Sequence, residues 1–328
     1  MRVAISSRGR AWAAVAAAVL IAGGAIIAAM VYRTDDAGSS SSPTAVVSDY
    51  LRALAAGDAQ AALSLGAATP HATTLLTSEV LKQQLDKLPI TDIRVDGEQP
   101  TPATRPDRVY VKAAAAFGNK HSEGLIQVVR TATSWKLASA FLALQPTPAG
   151  HPSVYDTMTV FGHRVDPGVL DVFPGALAVS TSNEFLATES QPEPVLLERL
   201  RYGEQPNSFT VAFAINHRGR QAIQTAVIAW LTACMTAGSP PAGPCTKIDT
   251  SISMGGMAVP GTTRLTGPIS LGQFTINFDQ TLRPVAVVNN ATVPMVAQRP
   301  DGSTVTGNFA GFTTPVDISK TPPVVVAP

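Results

Sequence analysis

The sequence predicts an α+β protein carried on an N-terminal transmembrane helix. Three observations lead there. An uncharged apolar run, Ala11 to Tyr32, follows Arg2, Arg8 and Arg10. Helix-period segments come next, and a meander of strand-like runs follows them. Hydrophobic residues make up 45% of the 328 and charged residues 14%, enough apolar material for several packed segments. The formal net charge of +1 excludes a sequence-independent nucleic-acid binder, which needs clustered lysines and arginines.

As a helix rising about 1.5 Å per residue, the apolar run spans the roughly 30 Å hydrocarbon core of a bilayer. Trp12 and Tyr32 stand at its two ends, where aromatic rings favour the membrane interface. The basic N-terminal flank predicts a cytoplasmic N-terminus and an extracytoplasmic bulk. A cleaved secretory signal is the rival reading, but its apolar region is usually about 7–15 residues, shorter than this one. Residues 1–32 are thus expected to form the cytoplasmic tip and membrane helix. Residues 33–43, "RTDDAGSSSSP", are a polar small-residue linker.

In residues 44–146, Val46, Val47, Tyr50, Leu51 and Leu54 give one apolar helical face. Gly57 breaks that helix, and Asp58 is placed to cap a second short one. "TSEVLKQQLDKL" predicts a third, with Ser78 as its cap. Strands are expected over Ile90–Val95, Arg108–Phe117, Leu125–Thr133 and Ser134–Leu144; "VYVKAAAAF" alternates as a half-buried strand requires.

"VVSDYLRALAAGDAQAALSL", with "DRVYVKAAAAFG", "GLIQVVRTA" and "SWKLASAF" downstream, resembles the NTF2-like (SnoaL-like) domains. Trp135 falls in that family's common W-K/R-L/I position. The resemblance covers about a third of the chain and implies a curved sheet wrapped around helices as a cone. The family holds isomerases, dehydratases, transport factors and ligand-free anchored modules. Its enzymes place a carboxylate or a His-Asp pair in the cone pocket. The polar candidates for a pocket or interface here are Asp92, Lys112, His121 and Arg130, with Arg94 and Asp96 beside them. None stands in a recognisable catalytic pattern, and His121 is expected in a polar turn, "GNKHSEG".

Residues 151–190 contain "GHRVDPG" and "FPGAL", turn signals between short Val- and Leu-rich runs. They are similar to small β modules of the PEGA-like kind. His163 beside Asp166 suggests a metal pair, but no further His or Cys completes a first shell, so turn chemistry accounts for both. Residues 193–328 read as a C-terminal α+β module. "SFTVAFAIN" predicts a strand, and Ile223, Ala226, Val227, Trp230, Leu231 and Cys234 line one helix face. Further strands follow, two of them joined through a hairpin at Asp301-Gly302.

Cys234 and Cys245 are the only cysteines. Outside the cytoplasm a disulfide is their expected state, closing a loop of about a dozen residues. In the chain-entropy model that closure stabilises the fold by roughly 3 kcal/mol. Replacing both by serine should lower stability by about that amount in urea unfolding. An unchanged midpoint would contradict a bridging role.

Nucleophile-elbow, P-loop, zinc-protease and dinucleotide motifs are missing from the sequence, and no cofactor is expected. The expected function is a non-enzymatic scaffold or binding module of the cell envelope, partnered by the membrane and by envelope proteins. Membership of a transport or conjugation apparatus is an alternative, because conjugation-system proteins join one membrane helix to tandem NTF2-like domains. An NTF2-like enzyme or small-ligand carrier is another. A collapsed, Leu- and Ala-filled cone favours the first two readings; an open pocket with a buried carboxylate or histidine favours the third.

Overall fold

The computed structural model describes residues 42–99, 107–146, 154–166, 168–202, 206–236, 258–259, 261–269, 275–278, 285–289, 292–310 and 313–326. The apolar run Ala11–Tyr32, most of the linker and Cys245 lie outside the described residues. Among those described, no helix is long and apolar enough to cross a membrane. The architecture is mixed α+β.

Three helices open the described chain: α1 (Pro43–Ala55), α2 (Ala59–Ser64) and α3 (Ser78–Lys87). The face expected for α1 is the one buried: Val46, Val47, Tyr50, Leu51 and Leu54 are all inaccessible. Proline enters in the first turn, where its missing N–H costs nothing, and the Ser42 hydroxyl accepts from the Ala45 amide. Gly57 takes a φ of 73°, and the Asp58 carboxylate accepts from the Ala61 amide at 2.9 Å. For α3 the cap is Thr77, whose hydroxyl accepts from Val80 at 3.2 Å; Ser78 is the first helical residue. Thr77 has the extended backbone a cap needs, which corrects the expected Ser78 by one position.

A four-stranded antiparallel meander follows: β1 (Ile90–Gln99), β2 (Arg108–Phe117), β3 (Lys120–Arg130) and β4 (Trp135–Leu137). In β2, Val111, Ala113, Ala115 and Phe117 are inaccessible and face α1, as the alternation required. β1 runs four residues beyond the expected Val95, because register shifts between Thr91 and Arg94 and between Val95 and Gly97 let it continue as a bulged edge. β3 begins at Lys120, so His121 belongs to a strand and pairs with Ala116. The polar turn expected there shrinks to Gly118 and Asn119, which suffice because Gly118 accepts a φ of 58°.

The expected strand Ser134–Leu144 is two strands. The Ser139 hydroxyl donates to the Phe141 carbonyl at 2.7 Å and accepts from the Phe141 amide at 3.2 Å, an alternative to the ladder that ends β4. The chain resumes as β5 (Leu142–Pro146) in a different sheet.

The second segment holds β6 (Met158–Val160), β7 (His163–Arg164), β8 (Leu170–Val172), β9 (Val179–Thr181) and β10 (Leu186–Ser190). β6 and β7 form a hairpin across Phe161-Gly162, both with positive φ, as a two-residue type I′ connection requires. Next comes a 3-10 turn, Leu197–Tyr202, called the strap below. "SFTVAFAIN", expected as one strand, divides into β11 (Asn207–Phe209) and β12 (Ala212–Ile215). β11 joins β5 and β8 in one sheet, whereas β12 pairs with β10. Each of the three segments therefore contributes one strand to the β11-β5-β8 sheet.

The remaining elements are α4 (His217–Thr236), β13 (Arg264–Leu265), β14 (Thr275–Phe278), β15 (Val285–Asn289), β16 (Thr292–Gln298), β17 (Thr304–Ala310), β18 (Thr313–Asp317) and β19 (Val324–Val325). The Asn216 side chain caps α4, accepting from Gly219 at 2.8 Å while its amide donates to Glu184 and Leu186 carbonyls. Ile223, Val227, Leu231 and Cys234 are buried, with Ala222 and Trp230 packed beside them. The face meets β13 and β19. β16 and β17 turn through Asp301-Gly302, with Gly302 at φ 82° and Arg299 donating to the Ser303 carbonyl at 2.7 Å. Cys234 is disulfide-bonded.

Candidate functional site

The interior of the first segment is filled by buried side chains of its helices and sheet, continuous with those of the later segments. Tyr50, at the centre of α1, is wholly buried and donates its hydroxyl to the Ala140 carbonyl at 2.8 Å. Burial pushes its phenol far above the ordinary range, so it stays a neutral donor. Tyr50→Phe keeps the packing and deletes one buried hydrogen bond, so it should cost about 1 kcal/mol in urea unfolding. A loss of several kcal/mol would show that this bond does more than satisfy one carbonyl.

Ser122 and Gly124 leave a shallow floor on the helix-facing side of β3, beside the part of β2 that faces α1. The strap lies on that floor. A methyl added at Gly124 would stand 2.6 Å from the Leu197 carbonyl oxygen. The Ser122 hydroxyl accepts from the Leu197 amide at 3.0 Å and donates to Glu198 at 3.0 Å. Lys120 pairs with Glu193 at 2.6 Å just before the strap. In a 3-10 turn positions i and i+3 eclipse, so Leu197 and Leu200 share one side; both are buried, while Glu198 and Arg199 are exposed.

The four polar candidates do not converge. Asp92 sits exposed in the first bulge of β1 with a φ of 50°. Lys112 lies on the face away from α1, in an ion pair with Glu123 at 2.8 Å. The Glu123 hydrogen bond and charge hold its ammonium above the ordinary lysine range. His121 is on the same face, exposed, two pairing rows from Lys112. At about 3.3 Å per residue that is roughly 13 Å, too far to share a proton. Arg130 has the opposite strand parity and stacks at the sheet end, 5.6 Å from the Trp135 ring centroid.

Among the described residues, the closest acid–imidazole contact is one that the sequence reading missed. Asp171, on β8, has a wholly inaccessible side chain. It accepts from the His71 amide, from the Ala72 amide at 3.1 Å, and approaches His71 Nδ1 at 3.3 Å. The imidazole is 56% exposed, so the carboxylate is the buried partner and the histidine the outer one. The signal was available: a lone acid in "GVLDVF", a run otherwise apolar, is buried only if it is paired. Two backbone donors make Asp171 a clamp that ties the loop after α2 to β8. His163 and Asp166 gather no further ligand: among the described residues no group of three metal-ligating side chains occurs.

A cleft of about 290 Å³ lies where the second segment meets the C-terminal one, between Thr157, Asn183, Glu184 and Ser319. Its polar groups are already joined to one another. Glu184 pairs with Arg218 at 2.6 Å and accepts from Thr321 at 2.9 Å, and Asn183 donates to the Ile318 carbonyl. It is a polar seam between segments. No family model, curated protein or solved structure matches this chain.

Proposed function

We propose that this chain is a single-pass, membrane-anchored protein whose extracytoplasmic part is a non-enzymatic scaffold or binding module of the cell envelope. The first segment is read as an NTF2-like cone that has lost its pocket. The observation that carries this reading is the filled interior: Tyr50, Leu51, Leu54, Val111, Ala113, Ala115 and Phe117 are all inaccessible, and the strap covers the sheet beside them. An enzyme or carrier of this shape needs that volume for its ligand. The buried carboxylate, Asp171, is spent on two backbone amides rather than aimed into a cavity.

A filled cone leaves the opposite face of the sheet as the surface on offer. It carries Tyr110, Lys112, Glu123, Leu125 and Gln127, a mixture of charged, aromatic and aliphatic side chains suited to a protein partner. The test is a photo-crosslinking residue at Gln127 in intact cells, with a second at the strap's Arg199 as control. A discrete adduct at Gln127 that disappears with Lys112→Glu supports the scaffold. Co-purification of a stoichiometric small molecule with the chain, and no adduct, would favour the carrier instead. The anchor is checked separately: mass spectrometry of membrane-extracted protein should recover the peptide containing Trp12, and a mature chain beginning between Arg33 and Ser42 would replace the anchor by a cleaved signal.

A further inference from the structure

We propose that one end of the β13-β16-β17 sheet binds a small organic anion, held by its carboxylate or phosphate group on Arg264. A cleft of about 300 Å³ lies there, at the small end of the range for ligand pockets, lined by Thr262, Arg264, Val296, Gln298 and Thr304. Arg264 pairs with Val296 across β13 and β16, and Gln298 with Thr304 across β16 and β17. These four side chains therefore share one face of the sheet. Val293, Met295 and Ala297, on the other face, are buried in the core.

The turn before β13 is shaped to hold the guanidinium. Gln298 brackets it through its backbone, accepting from the Val259 amide at 2.7 Å and donating to the Thr262 hydroxyl at 3.1 Å. That hydroxyl in turn donates to the Val259 carbonyl at 2.6 Å. Gly261 takes a φ of 76°, and its carbonyl accepts from Arg264 Nη1 at 3.0 Å. The Thr263 carbonyl accepts from the same nitrogen at 2.8 Å. Nη1 carries two protons, and both are used. Nε and Nη2 have no partner among the described residues. Along that edge a guanidinium presents two parallel N–H groups, which match two oxygens of a carboxylate or a phosphate. The side chain is thus fixed by one nitrogen and offers the other two, with less freedom to lose on binding.

The surroundings select the sign of the ligand. No acidic side chain lines the cleft, whose other polar groups include the neutral Gln298 amide and Thr304 hydroxyl. Asp301, the acid of the adjoining hairpin, is spent inside its own turn, accepting from the Ser303 amide at 2.9 Å and its hydroxyl at 2.7 Å. Lys112, Lys120 and Arg218 each face a carboxylate within 2.8 Å, whereas Arg264 is in no ion pair with a described residue. A fixed cation beside neutral donors, with half-buried Val296 next to it, suits an anion with a short carbon part. The site lies in the C-terminal segment, so it stands or falls separately from the filled cone.

The test titrates the purified full-length chain, in detergent and at low salt, where screening is least. The probes are sodium acetate, inorganic phosphate and, as an uncharged match, acetamide. The readout is the Arg264 Nε–H nuclear magnetic resonance signal, assigned by its loss in Arg264→Lys. Acetate or phosphate should shift it with a Kd of about 1–10 mM, the tighter of the two naming the oxyanion, and acetamide should leave it in place. Gln298→Glu places a competing carboxylate in the cleft and should weaken the anion at least about tenfold. No shift with either anion up to about 100 mM, or an equal shift with acetamide, would overturn the proposal. So would an unchanged affinity in Gln298→Glu, leaving Arg264 as a brace for its own turn. Should that variant fail to fold, Thr304→Val, which keeps the shape and deletes the hydroxyl, is read instead. It should weaken binding at least about threefold, and an unchanged affinity there overturns the proposal equally.

Discussion

Replacing Asp171 by alanine should destabilise the protein by about 3 kcal/mol, because each hydrogen bond to a buried charged acceptor contributes about 1.5–3 kcal/mol. Two amides, those of His71 and Ala72, lose their acceptor together. The sum is reduced because alanine also removes the cost of burying a carboxylate. Asp171→Asn keeps one acceptor oxygen and should lie between the two. His71→Ala should cost under about 1 kcal/mol, since its imidazole is largely exposed and only 3.3 Å contact is lost. Urea unfolding of the three variants orders them. If His71→Ala costs as much as Asp171→Ala, the imidazole rather than the backbone clamp carries the interaction.

Replacing Gly124 by valine should lower stability by about 3 kcal/mol, and by alanine somewhat less, through overpacking against a backbone that cannot swing aside. The obstructing atom is the Leu197 carbonyl oxygen, with the Leu197 carbonyl carbon at 2.7 Å and the Glu198 nitrogen at 3.0 Å behind it. Ala116 lies on the opposite face of the sheet from the strap and is only half-buried, and valine suits a strand, so Ala116→Val should change stability by less than about 0.5 kcal/mol. Thermal melts of the two single variants separate the explanations. A Gly124→Val chain as stable as Ala116→Val would mean that the strap is not seated where the structure places it.

Local pattern was legible where one element buries one face. The α1 stripe, the β2 alternation, the Asp58 cap and the Asp301-Gly302 hairpin all follow from periods and turn chemistry that act within a few residues. What escaped were choices made at a distance. "SFTVAFAIN" and "SWKLASAFLAL" are apolar enough throughout to be single strands, and nothing local says that each half joins a different sheet. Ser139 gave the one internal sign of a break. His121 was misplaced because a Gly-Asn-Lys-His run has the composition of a turn, whereas two residues sufficed to reverse the chain. The strap has no local signature, and the lone acid in "GVLDVF" says that Asp171 is paired but not with what, since each is defined by a partner far away in sequence. Asp171 and His71 are separated by 100 positions.

The same distances set an order of assembly. β5 is paired on one side by β8 and on the other, in parallel, by β11, with Leu144 opposite Asn207. Loops of this length must close before the pairing returns any energy, which makes such contacts slow to form. A chain emerging from its N-terminus can build α1 to β4 early, but β5 keeps an open edge and the floor at Gly124 stays bare until about residue 209 has arrived. A polypeptide truncated shortly before the strap would expose both at once, an unpaired strand beside an uncovered apolar floor, and that combination is the usual nucleus of aggregation. The fold thus has a minimum length well past the end of its first segment, and the growing chain must stay soluble until that length is reached.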